Sequence, residues 1–266
     1  MSFSPVVPFG GYAGWSFLQR TMDRQVESFI TSPTMQRDED YFRAKIGSIR
    51  HAEDLVNDRR LLAVALNAFG LGADIDNKFF IRKVLEDGTL DPKALANRLA
   101  DKQYLAFSRA FGFGDFAIPR TNLSDFAENI IAAWQPRQFE EAVGEQNGDL
   151  RLALNAKREL PTLASSNLGD DAMWFTIMGN PPLRQVFEKA FGLPPSFAAL
   201  DIDQQLSELQ GKAGRVFGDE SIRQFTDPKK TEKLLRTFLA RSEAAASFSS
   251  MAGGATALQL LQAAAP

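Results

Sequence analysis

Apolar residues recur three and four positions apart from Trp15 almost to the C-terminus. Phe42, Ile46 and Ile49 stand at i, i+4 and i+7, behind Asp38, Glu39 and Asp40, which suit the positive end of a helix. The next stripe is Leu61, Leu62, Ala65, Leu66 and Phe69, followed by Phe80, Ile81, Val84 and Leu85. Tyr104, Phe107 and Phe111 continue it, then Phe126, Ile130, Ile131 and Trp134, then Phe139, Val143, Leu150 and Leu154. Late stripes run through Leu206, Leu209 and Val216 and through Leu234, Leu235, Phe238 and Leu239. No Val-, Ile- and Thr-rich window alternates with period two. The spacing predicts an all-α, multihelical fold.

Start and stop signals agree. Asp91-Pro92 and Asp227-Pro228 each place a capping carboxylate before a proline whose missing N–H costs nothing at the first helical position, and Asn180-Pro181 does so with an amide. Leu90 and Leu95 are spaced to close as a hydrophobic staple over the Asp91 cap. Ala68-Phe69-Gly70-Leu71, Ala110-Phe111-Gly112-Phe113 and Ala190-Phe191-Gly192-Leu193 share one form. The glycine takes the left-handed conformation past a helix end, and the next apolar residue folds back on the last turn.

The first and third copies also match upstream, where Leu61, Val64 and Ala68 align with Leu183, Val186 and Ala190. Downstream, Asp91-Pro92-Lys93 answers Asp227-Pro228-Lys229, each expected to open a helix. The expectation is two pseudo-repeated helical halves, about 40–118 and 172–245, joined by a connecting segment around 122–165 within one domain, 15–246. Residues 1–14, rich in Pro, Gly and Ser, read as a flexible tail, and 247–266 as a linker with a short apolar helix at its end.

Composition narrows the function more by exclusion than by assignment. Thirty Lys and Arg against thirty-three Asp and Glu give a net charge of −3, with no dense basic stripe of the kind nucleic-acid binding requires. One histidine and no cysteine exclude thiol chemistry, disulfides and the usual zinc ligand sets, and no metal is expected. No nucleophile elbow, phosphate loop or dinucleotide fingerprint occurs, so no cofactor and no catalytic residue is assigned. The N-terminus lacks the basic start and apolar run of a secretory signal, and no apolar stretch is long enough to span a membrane.

Two candidate surfaces remain. Asn147, Arg151, Asn155 and Arg158 share one face on a continuous helix, and two guanidiniums with two amides suit a carboxylate or phosphate; the alternative is a polar seam paired with Glu145 and Asp149. Trp15 and Phe17 near the N-terminus, and Leu258 and Leu261 near the C-terminus, are candidate contacts for a protein partner. His51, beside Glu53 and Asp54, reads as a surface or capping residue.

An ordered series adds a resemblance. Tyr41-Phe42-Arg43, Asp58-Arg59-Arg60-Leu61-Leu62, Ala68-Phe69-Gly70-Leu71, Phe80-Ile81-Arg82-Lys83-Val84-Leu85-Glu86, Asp91-Pro92 and Ala94 to Lys102 come first. Val143 to Asn147, Leu152 to Leu154 and Lys157-Arg158 follow. The series resembles the domain-of-unknown-function family 1217, a helical alphaproteobacterial group often encoded among flagellar genes. The resemblance implies an all-α, non-enzymatic protein associated with the flagellar system, acting in structure or assembly through contacts with flagellar or other proteins. It implies residence in the cytoplasm or export through the flagellar apparatus, and brings no catalytic residue. The alternative is a binding module for an anionic ligand or peptide carboxylate on the Arg151 and Arg158 face.

Overall fold

The computed structural model describes residues 3–263, with side chains described for 3–247. It is 73% helical, with thirteen α-helices and no strand among the described residues, as the spacing predicts. The chain forms two compact units, not one domain. The first takes Met1–Val6 and Arg20–Gln146, the second Val7–Gln19 and Asn147–Pro266.

Helix α1 (Gly11–Ile30) contributes its first half to the second unit and the remainder to the first. The first unit continues with α2 (Pro33–Ile46), α3 (Ala52–Asn57), α4 (Arg59–Asn67), α5 (Lys78–Glu86), α6 (Leu95–Arg98), α7 (Gln103–Phe111) and α8 (Phe126–Gly144). Its centre is α4, which packs on α2, α3 and α8. Leu61, Leu62, Val64, Ala65 and Leu66 are all buried, so this helix is apolar on more than one face. Asp58 fixes its start: Oδ1 accepts the N–H groups of Arg60 (3.0 Å) and Leu61 (3.1 Å). Phe111 closes the core between Phe107, tilted at 57°, and Phe126, edge to face at 77°.

The second unit holds α9 (Gly148–Ala164), α10 (Asp170–Met178), α11 (Pro181–Phe191), α12 (Ile202–Phe217) and α13 (Pro228–Ala263). Helices α9, α11 and α13 pack on one another. Trp174, Phe187, Phe191, Phe217 and Phe225 form a chain of edge-on and tilted rings. Asn180 caps α11 by accepting from the Leu183 N–H, 3.2 Å.

The three glycines have φ of +77° (Gly70), +67° (Gly112) and +63° (Gly192), as the repeated motif predicts. Leu71 N–H reaches Leu66 O and Leu193 N–H reaches Glu188 O, both at 2.9 Å, the six-to-one bond of a Schellman end. Leu61, Val64 and Ala68 ahead of the first end and Leu183, Val186 and Ala190 ahead of the third are buried alike, but the chain downstream differs. Asp91 is followed by a turn and the four-residue α6, whereas Asp227 opens a helix of 36 residues. The Leu90 staple does not form either, for Leu90 is 73% exposed.

Both expected tails are corrected. Helix α1 already begins at Gly11, and Val6 is bonded to Gln25 through its N–H (2.6 Å) and its carbonyl (3.2 Å). At the other end α13 runs unbroken to Ala263, through the segment read as a linker. The expected connecting segment is where the chain leaves the first unit, between α8 and α9.

Candidate functional site

The polar run at 144–159 is divided by that crossing. Asn147 lies before α9 with extended backbone (φ −152°, ψ 103°), and its side-chain oxygen accepts the Leu150 N–H at 3.0 Å. It is the cap of the helix and so leaves the expected face. On α9, Arg151 is exposed, while Asn155 is half-buried with its Oδ1 enclosed and without a hydrogen-bond partner. Arg158 pairs with Glu159 (3.1 Å), whose other oxygen accepts Asn180 Nδ2 at 3.0 Å. Asp149 binds Lys189 at 2.8 Å. Glu159 and Asp149 thus tie α9 to α11.

The N-terminal candidate also turns inward. Trp15 is fully buried in the second unit, its Nε1–H shared between the two oxygens of Glu232 at 3.2 Å each. Tyr12 Oη donates to the same carboxylate at 3.1 Å, with the Arg236 guanidinium over the Tyr12 ring. An indole with its N–H satisfied and its surface covered offers nothing to a partner, which corrects the expectation for Trp15. Phe17 is half-buried. The side chains of Leu258 and Leu261 lie outside the described residues.

An open cleft of about 540 Å³ in the first unit is lined by Tyr41, Ile49, Asp54, Asp58, Arg59 and Arg60, among others. Tyr41 Oη donates to Asp58 Oδ2 at 2.7 Å, and that bond raises the phenol above its ordinary pKa. The Arg60 guanidinium lies 4.0 Å from the Tyr41 ring centre and donates to Asp38 (2.9 Å); Arg59 pairs with Asp76 (2.6 Å). Asp54 accepts the His51 N–H at 3.0 Å, so His51 stands at the start of α3. The cleft walls are ion pairs and caps closed on one another.

A different arrangement joins two turns of the first unit. Gly88 (φ +67°) and Gly114 meet so closely that a Cβ on Gly114 would lie 2.4 Å from the Gly88 nitrogen. Asp115 Oδ1 accepts the N–H groups of Thr89 (2.6 Å) and Leu90 (3.2 Å), and Oδ2 accepts the Thr89 hydroxyl at 2.8 Å. Burial pushes the Asp115 carboxyl up, but the Thr89 and Leu90 bonds and Arg109 outweigh it and hold the group below the usual carboxylate range. From this clasp emerge Leu90, Phe116 and Ile118, all exposed. Their exposure is not legible in the sequence, because Leu90 is spaced as a staple and Phe116 and Ile118 sit outside any periodic stripe; the signal present is Gly112 and Gly114, which break the helix just before them.

Among the described residues no helix is long and apolar enough to cross a membrane. No group of three or more metal-ligating side chains converges among them.

Comparison with known proteins adds a family without a chemistry. The crystal structure of protein AGR_C_984 from Agrobacterium tumefaciens is similar, with 27% identity and a TM-score of 0.72 over 90% of this chain and 98% of that one. None of the curated proteins matches the sequence. The profile of the family described as "Protein of unknown function (DUF1217)" matches residues 68–231, more than half of the chain, and the chain belongs to that family.

Proposed function

We propose that this chain is a non-enzymatic protein of the bacterial flagellar system that acts in structure or assembly through contacts with other proteins. The observation that carries this reading is the display of large apolar side chains on each unit. Phe79 is 84% exposed and Ile118 69% in the first, and Ile202 55% in the second. Scattered apolar residues are ordinary on a surface, but side chains of this size exposed at the first turns of α5 and α12 and in the loop before α8 suit burial by a partner. The side chains with chemical potential support it too, for His51, Asp58 and Asn180 stand at helix starts and Asp149 and Glu159 tie helices together. The flagellar setting follows from the family resemblance, and the protein acts in the cytoplasm or after export through the flagellar apparatus. Deleting the gene in its own host should impair swarming and alter flagella seen by electron microscopy. A deletion strain with normal filaments and normal motility overturns the reading.

A further inference from the structure

Asn147 and Asn180 hold the same position at two helix starts. Both have extended backbone, φ −152° and ψ 103° at Asn147 against φ −109° and ψ 101° at Asn180. Each side-chain oxygen accepts an N–H three residues on, from Leu150 at 3.0 Å and from Leu183 at 3.2 Å. Their successors differ. Asn180 is buried and precedes Pro181, which has no N–H, whereas Asn147 precedes Gly148 in the one Asn-Gly pair of the sequence. A main-chain nitrogen with no Cβ beside it is the least hindered nucleophile toward the carboxamide that precedes it. We propose that Asn147 is a site of spontaneous deamidation, gated by opening of the first turn of α9.

The Gly148 nitrogen attacks Asn147 Cγ: the N–Cγ bond forms, the Cγ–Nδ2 bond breaks, and Nδ2 leaves as ammonia with the proton of the Gly148 N–H. Solvent water then opens the cyclic imide, at Cγ to give aspartate or at the main-chain carbonyl of residue 147 to give isoaspartate. The surroundings admit both steps. Gly148 is exposed, with nothing within 4 Å of where a Cβ would stand, and Asn147 is half-buried. Its Nδ2 lies beside exposed Gly10, 3.3 Å from where a Cβ on that glycine would be. Conformation is what holds the reaction back. Ring closure needs Cβ and the Gly148 nitrogen eclipsed about the Cα–C bond, and a ψ of 103° turns them away from each other. The carboxamide must leave Leu150 and the main chain must rotate, so the first turn of α9 has to open locally. Asp149 in that turn pairs with Lys189 of α11 at 2.8 Å, a bond that resists the opening. Isoaspartate would carry Cβ into the main chain at the point where it passes from the first unit to the second, and lengthen it just ahead of α9.

The test incubates the full-length protein at physiological temperature and pH. Peptide mass spectrometry follows the amide-to-acid mass change at each asparagine, and enzymatic methyl labelling reads isoaspartate. The folded protein should convert at Asn147 ahead of every other asparagine, and more slowly than the same chain in urea. Gly148→Ala, which the open space at Gly148 accommodates, should slow conversion by about tenfold or more, equivalent to about 1.4 kcal/mol or more on the barrier. Lys189→Met is remote in sequence from the reacting pair and should leave the rate in urea unchanged. In the folded protein it should speed conversion about twofold to fivefold, the worth of a half-exposed ion pair. Circular dichroism verifies that both variants are folded. The site is overturned by no conversion at Asn147 while the chain in urea converts, by another asparagine reacting first, or by Gly148→Ala reacting as fast as the parent. The gate is overturned by equal rates in the folded protein and in urea, or by a folded rate indifferent to Lys189→Met.

Discussion

Asp91 and Asp227 begin with the same local chemistry and end differently. Each is followed by Pro-Lys, and each Oδ1 accepts the lysine N–H, at 2.8 Å for Lys93 and 2.9 Å for Lys229. Each carbonyl then takes the N–H three residues on, Ala94 at 2.9 Å and Lys230 at 3.0 Å. Beyond that point the first yields a helix of four residues and the second one of 36. After Asp227 come Thr231, Leu234, Leu235, Phe238, Leu239 and Ser242, a buried stripe at helical spacing. After Asp91 only Ala94 and Ala96 are buried, and Asn97 turns its side chain back to the carbonyls of Thr89 (2.9 Å) and Asp91 (2.7 Å). A cap fixes where a helix can start; continuation depends on an apolar face with something to pack against.

The sharpest separation should come from Phe238→Ala against Leu90→Ala. The first leaves a cavity in the stripe of α13 and should cost about 3–5 kcal/mol in chemical denaturation. The second truncates an exposed side chain and should stay within about 0.5 kcal/mol. Equal losses would mean that the turn at Asp91 packs as the stripe does, and the contrast would disappear.

Asp115→Ala removes the clasp that holds the Asp91 turn in its short form, and should cost about 1–3 kcal/mol through three lost hydrogen bonds. The sign with pH follows from the depressed folded pKa. The contribution is complete above the unfolded carboxylate value of about 4 and is lost as pH falls through the lower folded value. In acid unfolding followed by circular dichroism, the variant should therefore differ from the parent at neutral pH and converge with it in acid. A difference that persists unchanged into strong acid would show that the carboxylate charge is not what matters.

The smallest effect separates the caps themselves. Asp227→Ala should cost about 1 kcal/mol, because a long helix depends on that start, and Asp91→Ala only about half of that or less. Thermal unfolding of the pair measures both; a larger loss at Asp91 would reverse the comparison.

What the sequence yields is what is local. Stripes such as Leu61 to Leu66 and the left-handed glycines at 70, 112 and 192 are set within one or two turns of chain, so spacing alone finds them. The short α6 is not local in that sense, since it depends on Asp115 reaching back to Thr89 and on Asn97 folding over. Nor does composition reveal that α13 continues past Ser247: serine and glycine there suggested a linker, while the neighbouring alanines favour helix. The α9 face shows the same limit. Counting turns groups Asn147 with Arg151, but the helix begins one residue later and Asn147 serves as its cap. Exposed Leu90 and Ile118 are indistinguishable, in a bare sequence, from residues awaiting a core.

The bond between Trp15 and Glu232 also sets a timetable. The two residues are 217 positions apart, so at about 5–20 residues per second a ribosome makes the indole roughly 10–40 seconds before its acceptor. During that interval the residues between them, including nearly all of the first unit, are synthesised, while the Trp15 N–H lacks its acceptor. Completion of the second unit therefore waits for α13 to emerge from the ribosome, and any pause or truncation upstream of Glu232 leaves a tryptophan-bearing helix on the nascent chain for chaperones to meet.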